Sequence, residues 1–270
     1  MDIVDSQVHG FYEYDGNQLI AIMGALGIQK IIIDELWAHL EDGSSWPYKQ
    51  FGNGARRPLT PKSQGLALEY PNKFALVRRV NWRDPELISL FSEISCTPGC
   101  RAVRMNLKSR EDRQALADGK VDEIFTLAIK HNLPVCLLIH GQNATELVGS
   151  IARKFSSAKI ILDHCGNPKS EPQWEDVLRL SELNNIWLKW CHAHHSFVGG
   201  EYPYPALQSE LVRAIKSFGS SKILWASDVT HEKSGSSWGD LLHYVRDSIS
   251  ISEEDKSWIL GRTACSVFNW

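Results

Sequence analysis

Eight short apolar runs recur along the chain, at residues 3–8, 28–33, 74–80, 102–107, 134–139, 159–162, 186–190 and 222–226. Most close on a polar or charged residue and are followed by a stretch with helical spacing. Continuous apolar runs of this length fit strands buried on both faces, as in a parallel sheet. Between them stand helix signals. Asp15 is an N-cap for a helix that stops at Gly27, Thr60-Pro61 and Asp84-Pro85 open two more, and Asn143 caps another. Helical spacing also covers 120–131, 172–183, 205–218, 237–248 and 252–268. Strands alternating with helices predict an α/β fold, a single-domain (β/α)8 TIM barrel spanning 1–270. An open doubly wound sheet would call for a glycine-rich first turn, and Gly10 alone is not one. Residues 36–59 lack periodicity and predict a long loop. Trp37, Trp46, Tyr48 and Phe51 would fold it over a site, or it is a variable surface segment.

Composition narrows the classes. At 270 residues and 43% hydrophobic, the chain can build one sizeable core. A net charge of −3 gives no reason to expect nucleic acid. No apolar run approaches a membrane span and no leader is evident, so neither membrane nor export is expected. The cysteines at 96, 100, 136, 165, 191 and 265 are scattered. Only Cys96 and Cys100 are close, without the second pair that a zinc finger needs. Most of the others sit inside apolar strands and read as buried thiols in a reducing cytoplasm. The ten tryptophans suit packing more than a pocket lining. A small-molecule substrate is the expected partner, and a homo-oligomer is compatible with the composition.

In such a barrel the chemistry lies at the C-terminal ends of the strands. Those ends offer Gln7, His9, Asp34, Arg79, Arg104, His140, His164, His192 and Asp228. Any one of them alone reads as a surface or hydrogen-bonded group. Together they gather imidazoles, cations and carboxylates in one funnel. Alternation puts Asp5, Gln7 and His9 on one face of the first strand. Arg78 and Arg79 point to opposite faces, and Arg79 is the one assigned to the site. The guanidinium fork of Arg104 suits a bidentate carboxylate clamp. His192-Ala193-His194-His195 looks like a metal tract, but its spacing is nonspecific.

Three stretches carry a resemblance. Val4-Asp5-Ser6-Gln7-Val8-His9 resembles the strand-one motif of the amidohydrolase superfamily in its amidohydrolase-related branch. Asp163-His164-Cys165-Gly166-Asn167-Pro168 is similar to that branch's sixth-strand motif, and Trp225-Ala226-Ser227-Asp228 to its eighth. The branch includes sugar lactonases, 2-pyrone-4,6-dicarboxylate lactonase and several decarboxylases. The resemblance implies Asp228, His164 and His9 as catalytic residues. Gln7, Arg104, Arg79, His140 and His192 are then expected to bind substrate. Gln7 stands where a metal-binding histidine usually stands, and an amide oxygen is a weak ligand. No tightly held cofactor is therefore expected. A zinc or manganese ion on His9, His164 and Asp228 is the alternative. The function expected is hydrolysis, by a lactonase acting on a small carboxylated or polyhydroxy lactone, with Asp228 raised in pKa toward useful basicity. A metal-dependent non-oxidative decarboxylase of an aromatic or enoic acid is the first alternative, and a non-catalytic ligand-binding barrel the second.

Overall fold

The computed structural model describes residues 2–10, 14–35, 47–141, 143–197, 202–231 and 235–270. Eight strands form one sheet in chain order: β1 (Val4–Val8), β2 (Lys30–Asp34), β3 (Phe74–Arg79), β4 (Cys100–Leu107), β5 (Val135–Ile139), β6 (Ile160–Leu162), β7 (Ile186–Trp190) and β8 (Ile223–Trp225). Every neighbouring pair is parallel. Helices cover the outer face. The first, Gly16–Leu26, starts with a capping box between Asp15 and Gln18 and ends on left-handed Gly27, as the sequence predicts.

β1 and β8 meet without a regular ladder, and side chains close the seam. Ser6 Oγ donates to the Trp225 carbonyl at 2.6 Å and the Asp228 N–H donates to the Gln7 carbonyl at 2.9 Å. Asp5 is the clasp. It accepts from the Ser227 N–H at 3.0 Å, from the Ser227 hydroxyl, and from Trp238 Nε1 at 2.8 Å. Burial raises its pKa to about 6, partly opposed by the hydrogen bonds from Ser227 and Trp238.

The register explains this position. Asp5 pairs with Ile31 and Val8 with Ile33, so β1 takes three steps while β2 takes two. This bulge shifts the alternation. Gln7 and His9 face into the barrel, whereas Asp5 bonds to Trp238 on the outer helix. The expectation that Asp5 shares their face fails for that reason.

Inside the barrel, Val4, Ile32, Ala75, Val77, Ala102, Cys136, Ile161 and Leu224 form a small apolar plug with Ala264, Val267 and Phe268. One or two interior positions further along each strand, the lining turns polar: Asp34, Arg104, Asp163 and Lys189, all buried. A larger apolar layer fills the space between sheet and helices.

Three local features depart from the sequence reading. Residues 48–58 form an antiparallel hairpin, Tyr48–Gln50 with Arg56–Pro58, in place of a structureless loop. The guanidinium of Arg56 covers the Tyr48 ring and that of Arg57 the Phe51 ring. Trp37 and Trp46 lie outside the described residues. A further helix, Arg110–Ala117, follows a Ser109–Asp112 capping box. Residues 252–268 form a helix broken by a π-helical stretch at Trp258–Arg262. All six cysteines are free thiols, and no described helix is long and apolar enough to cross a membrane.

Candidate active site

The site sits on a buried charge lattice. Arg104, on β4, donates from Nε to Asp163 at 2.7 Å and from Nη1 to Asp34. Arg79, on β3, grips Asp34 with two bonds, Nε to Oδ1 at 2.9 Å and Nη2 to Oδ2 at 2.8 Å. Lys189, midway along β7, reaches Asp163 Oδ1 at 2.7 Å and Gln7 Oε1 at 2.8 Å. Burial would neutralise these groups, but mutual pairing outweighs it. The carboxyls of Asp34 and Asp163 are held below their ordinary range by the cations, while Lys189 and Arg104 are held above theirs.

Above this lattice, Asp228 is the meeting point. It is 2% exposed. Gln7 Nε2 donates to its Oδ2 at 2.7 Å. His9 Nε2 lies 3.1 Å from Oδ1, His192 Nε2 3.1 Å from Oδ2, and His164 Nε2 3.8 Å from Oδ2. Burial acts to raise the Asp228 pKa. The charge of His9, the hydrogen bonds from His192 and His9, and the field of His164 overcome it and hold the carboxyl well below the usual range. The expected raised pKa is thus reversed, because the base of the pocket is polar and cationic. His9 is oriented from behind: its Nδ1 donates to the Asp34 carbonyl at 2.6 Å, and its backbone N–H donates to Thr230 Oγ1. Burial pushes His164 down to about 3, so its ring is neutral at neutral pH. Burial and then the nearby cations Lys108, Lys169 and Arg113 lower His140 as well.

The backbone shows the same convergence. His164, His192 and Asp228, at the ends of β6, β7 and β8, all take left-handed φ values of 52°, 49° and 50°. Non-glycine residues adopt this region at a cost of order 1 kcal/mol or more, and it clusters at functional sites. Here it turns three strand ends toward one point.

His9, Arg79, Arg104, His140, His164, His192 and Asp228 line one cavity of about 300 Å³, together with Asn106, Lys108, Leu138, Asn167 and His195. A smaller cavity of about 180 Å³ adjoins it through Arg79, Arg104 and Asn106 and continues under Arg56 of the hairpin. Gln7 lies beneath the cavity, with both ends of its amide committed to Asp228 and Lys189. Arg78 points outward to Glu93, as alternation predicts. Sequence reasoning missed Lys189, Cys191 and Lys108. The signal for Lys189 is legible in retrospect. A lysine in the middle of a run otherwise apolar, two residues before Cys191, needs an acid partner inside the barrel.

The residue types also fit a transition metal. Donor atoms of His164, Cys191, His192 and Asp228 lie within 4.8 Å of one another, and three of these residues are buried. Two imidazoles, a thiol and a carboxylate match the ligand chemistry of zinc. His9 touches Asp228 but does not join this group. Burial and the charge of Asp228 push the Cys191 thiol well up, so it is no free nucleophile.

The family whose description is Amidohydrolase matches residues 91–270, two thirds of the chain. The protein belongs to the amidohydrolase family. No curated protein sequence matches it. Solved structures share its fold at low identity. An amidohydrolase from Burkholderia multivorans, solved with zinc bound, is 17% identical with a TM-score of 0.77 over 100% of this chain and 99% of that one. A probable 2-pyrone-4,6-dicarboxylic acid hydrolase from Acinetobacter baumannii, solved with citric acid, is 14% identical with a TM-score of 0.69 over the whole of both chains. The 5-carboxyvanillate decarboxylase of Sphingomonas paucimobilis is 12% identical with a TM-score of 0.66 over 99% of each chain. This amidohydrolase is therefore an enzyme-family (β/α)8 barrel whose strand ends bring a cluster of polar residues to one cavity.

Proposed function

We propose that the protein is a hydrolase that opens a small lactone bearing a carboxylate or several hydroxyl groups. The observation that carries this reading is an ionised carboxylate, Asp228, held by Gln7 and three imidazoles at the floor of a cavity whose walls are cationic. Asp228 orients a water against the lactone carbonyl and accepts its proton as the oxygen–carbon bond forms. In the metal-free protein the neutral His164 ring, protonated on Nε2, donates to the carbonyl oxygen as charge develops there. Gln7 and His9 keep Asp228 aimed. Ring opening then expels the alkoxide or enolate oxygen, which takes a proton back from the site.

The substrate carboxylate has a different anchor from the one first suggested by the sequence. The fork of Arg104 is occupied by Asp34 and Asp163, and that of Arg79 by Asp34. They supply positive potential. Lys108 lines the same cavity, and among the described residues no carboxylate pairs with it. Among the described residues lining this cavity, it is the cation left for a substrate anion. The citric acid in the Acinetobacter structure is a polycarboxylate on the same fold, which agrees with this polarity. His164, Cys191, His192 and Asp228 would hold a divalent ion, and because four protein donors fill a tetrahedral shell, polarising a carbonyl or acidifying a water would take an added fifth position.

A second reading is a non-oxidative decarboxylase, favoured by the four-donor group and by the Sphingomonas relative. A non-catalytic barrel fits less well, because none of the described lining residues is a tryptophan or phenylalanine that would fill the cavity. The six free thiols suit a reducing cytoplasm. The test is a panel of carboxylated lactones, sugar lactones and aromatic acids, followed for acid release and for carbon dioxide. Acid release from a lactone is the expected result. Carbon dioxide from an aromatic acid with no lactone turnover would replace this reading with the second.

A further inference from the structure

The first strand of this barrel does not supply the donors for a metal. Gln7 Oε1, the only ligand atom its amide has, accepts from the Lys189 ammonium at 2.8 Å, and its Nε2 donates to Asp228. His9 stands outside the group of donors that converge. The group lies instead on β6, β7 and β8. Cys191 follows Lys189 by two residues, so it takes the next interior position of β7, and it is 2% exposed. His192 comes directly after it, and its left-handed backbone turns its ring back to Asp228 Oδ2 at 3.1 Å. His164 reaches the same oxygen at 3.8 Å. In a tetrahedral zinc site, with ligand bonds of about 2.0–2.3 Å, neighbouring donor atoms are about 3.3–3.8 Å apart. The two measured separations lie at or near this range. The full set, within 4.8 Å, needs a contraction of only about 1 Å to close on one ion.

One cation bears on the His164 donor. Arg104 Nη2 faces His164 Nε2 at 3.4 Å, longer than a well-formed hydrogen bond, so that lone pair is loosely held. The positive charge of Arg104 is itself matched by Asp34 and Asp163. Asp228 alone neutralises half of a divalent cation, and Gln7 contributes none.

We propose that Cys191 is a metal ligand and that His164, Cys191, His192 and Asp228 form a four-coordinate site for zinc or a similar ion, displaced from β1 to β6–β8. The thiolate supplies the second negative charge. As the sulfur–metal bond forms, the thiol proton passes to solvent. Gln7 and Lys189 are then positioning residues: Lys189 fixes which way the amide points, and the amide steadies Asp228.

The probe is the metal itself. Zinc-loaded protein should show a sulfur shell at about 2.3 Å in its zinc-edge X-ray absorption. Cobalt(II)-loaded protein should show a near-ultraviolet thiolate-to-cobalt charge-transfer band. Cys191→Ser should abolish that band and weaken zinc binding at least about 100-fold, beyond the loss typical of an outer partner. Cys136→Ser removes a buried thiol of the apolar plug and should leave the band intact. A zinc site with only nitrogen and oxygen neighbours, a band that survives in Cys191→Ser, or failure of the wild type to take up either metal would each overturn the proposal. The absorption measurement needs no variant, so it decides even where the substitution disturbs folding. None of these readouts depends on the substrate.

Discussion

Replacing Lys189 by methionine tests whether the charge lattice holds the site together. Lys189 is 1% exposed, and its ammonium joins Asp163 at 2.7 Å and Gln7 Oε1 at 2.8 Å. Methionine fills most of the same volume, so little packing is lost. What changes is charge. Asp163 keeps only Arg104, and Gln7 Oε1 loses its donor. Breaking a buried ion pair by removing one partner costs about 3–5 kcal/mol. An unsatisfied amide oxygen adds about 1–3 kcal/mol. Relief from burying the ammonium offsets part of this, so a net loss of about 3–5 kcal/mol is expected. For a chain of this size that lowers Tm by roughly 8–15 °C. The assay is urea unfolding at neutral pH, followed by far-ultraviolet circular dichroism. Lys189→Met/Asp163→Asn should be less destabilised than the two single changes summed, by at least about 1 kcal/mol, because the pair interacts directly. A single-variant loss below about 1 kcal/mol, with additive behaviour in the double variant, would refute the reasoning.

Asp5→Asn should remove a pH dependence. The Asp5 pKa is raised to about 6 by burial, so the folded state favours the protonated form. Stability from this group is present below about pH 4 and declines as pH rises through 6, by about 3 kcal/mol in all. The difference in unfolding free energy between wild type and Asp5→Asn should change across that window and be flat above it. Arg104→Lys keeps the charge but cannot span both Asp34 and Asp163, so a loss of about 2–4 kcal/mol in urea unfolding is expected.

The eight strands were legible because each is a short apolar run buried on both faces, and because the helix caps between them are local chemistry. Asp15, Gly27 and the helix at Pro205–Phe218 fall where spacing puts them. The strand-end residues His9, Arg79, His140, His164, His192 and Asp228 share one cavity for the same reason: position on a barrel strand fixes position at its mouth. Other features were not legible. The bulge in β1 changes which residues face inward without changing composition, so Asp5 was misplaced. The hairpin at 48–58 lacks strong alternation and rests on Arg–aromatic contacts. The electrostatics of Asp228 depend on Gln7, His9 and His192, which are distant in sequence, so even the direction of its pKa shift was inverted. Arg104 looked like a substrate clamp because its two acid partners come from other strands.

The central claim is that Asp228 takes the proton of the attacking water. The direct measurement is kcat and KM of Asp228→Asn against wild type, on whichever lactone of the panel is turned over. Asparagine preserves shape but cannot accept the proton, so kcat should fall about 10²–10⁴-fold, with a far smaller change in KM because Lys108 still faces the substrate anion. A near-normal kcat in Asp228→Asn would contradict the account and leave Asp228 as a structural clasp between β1 and β8.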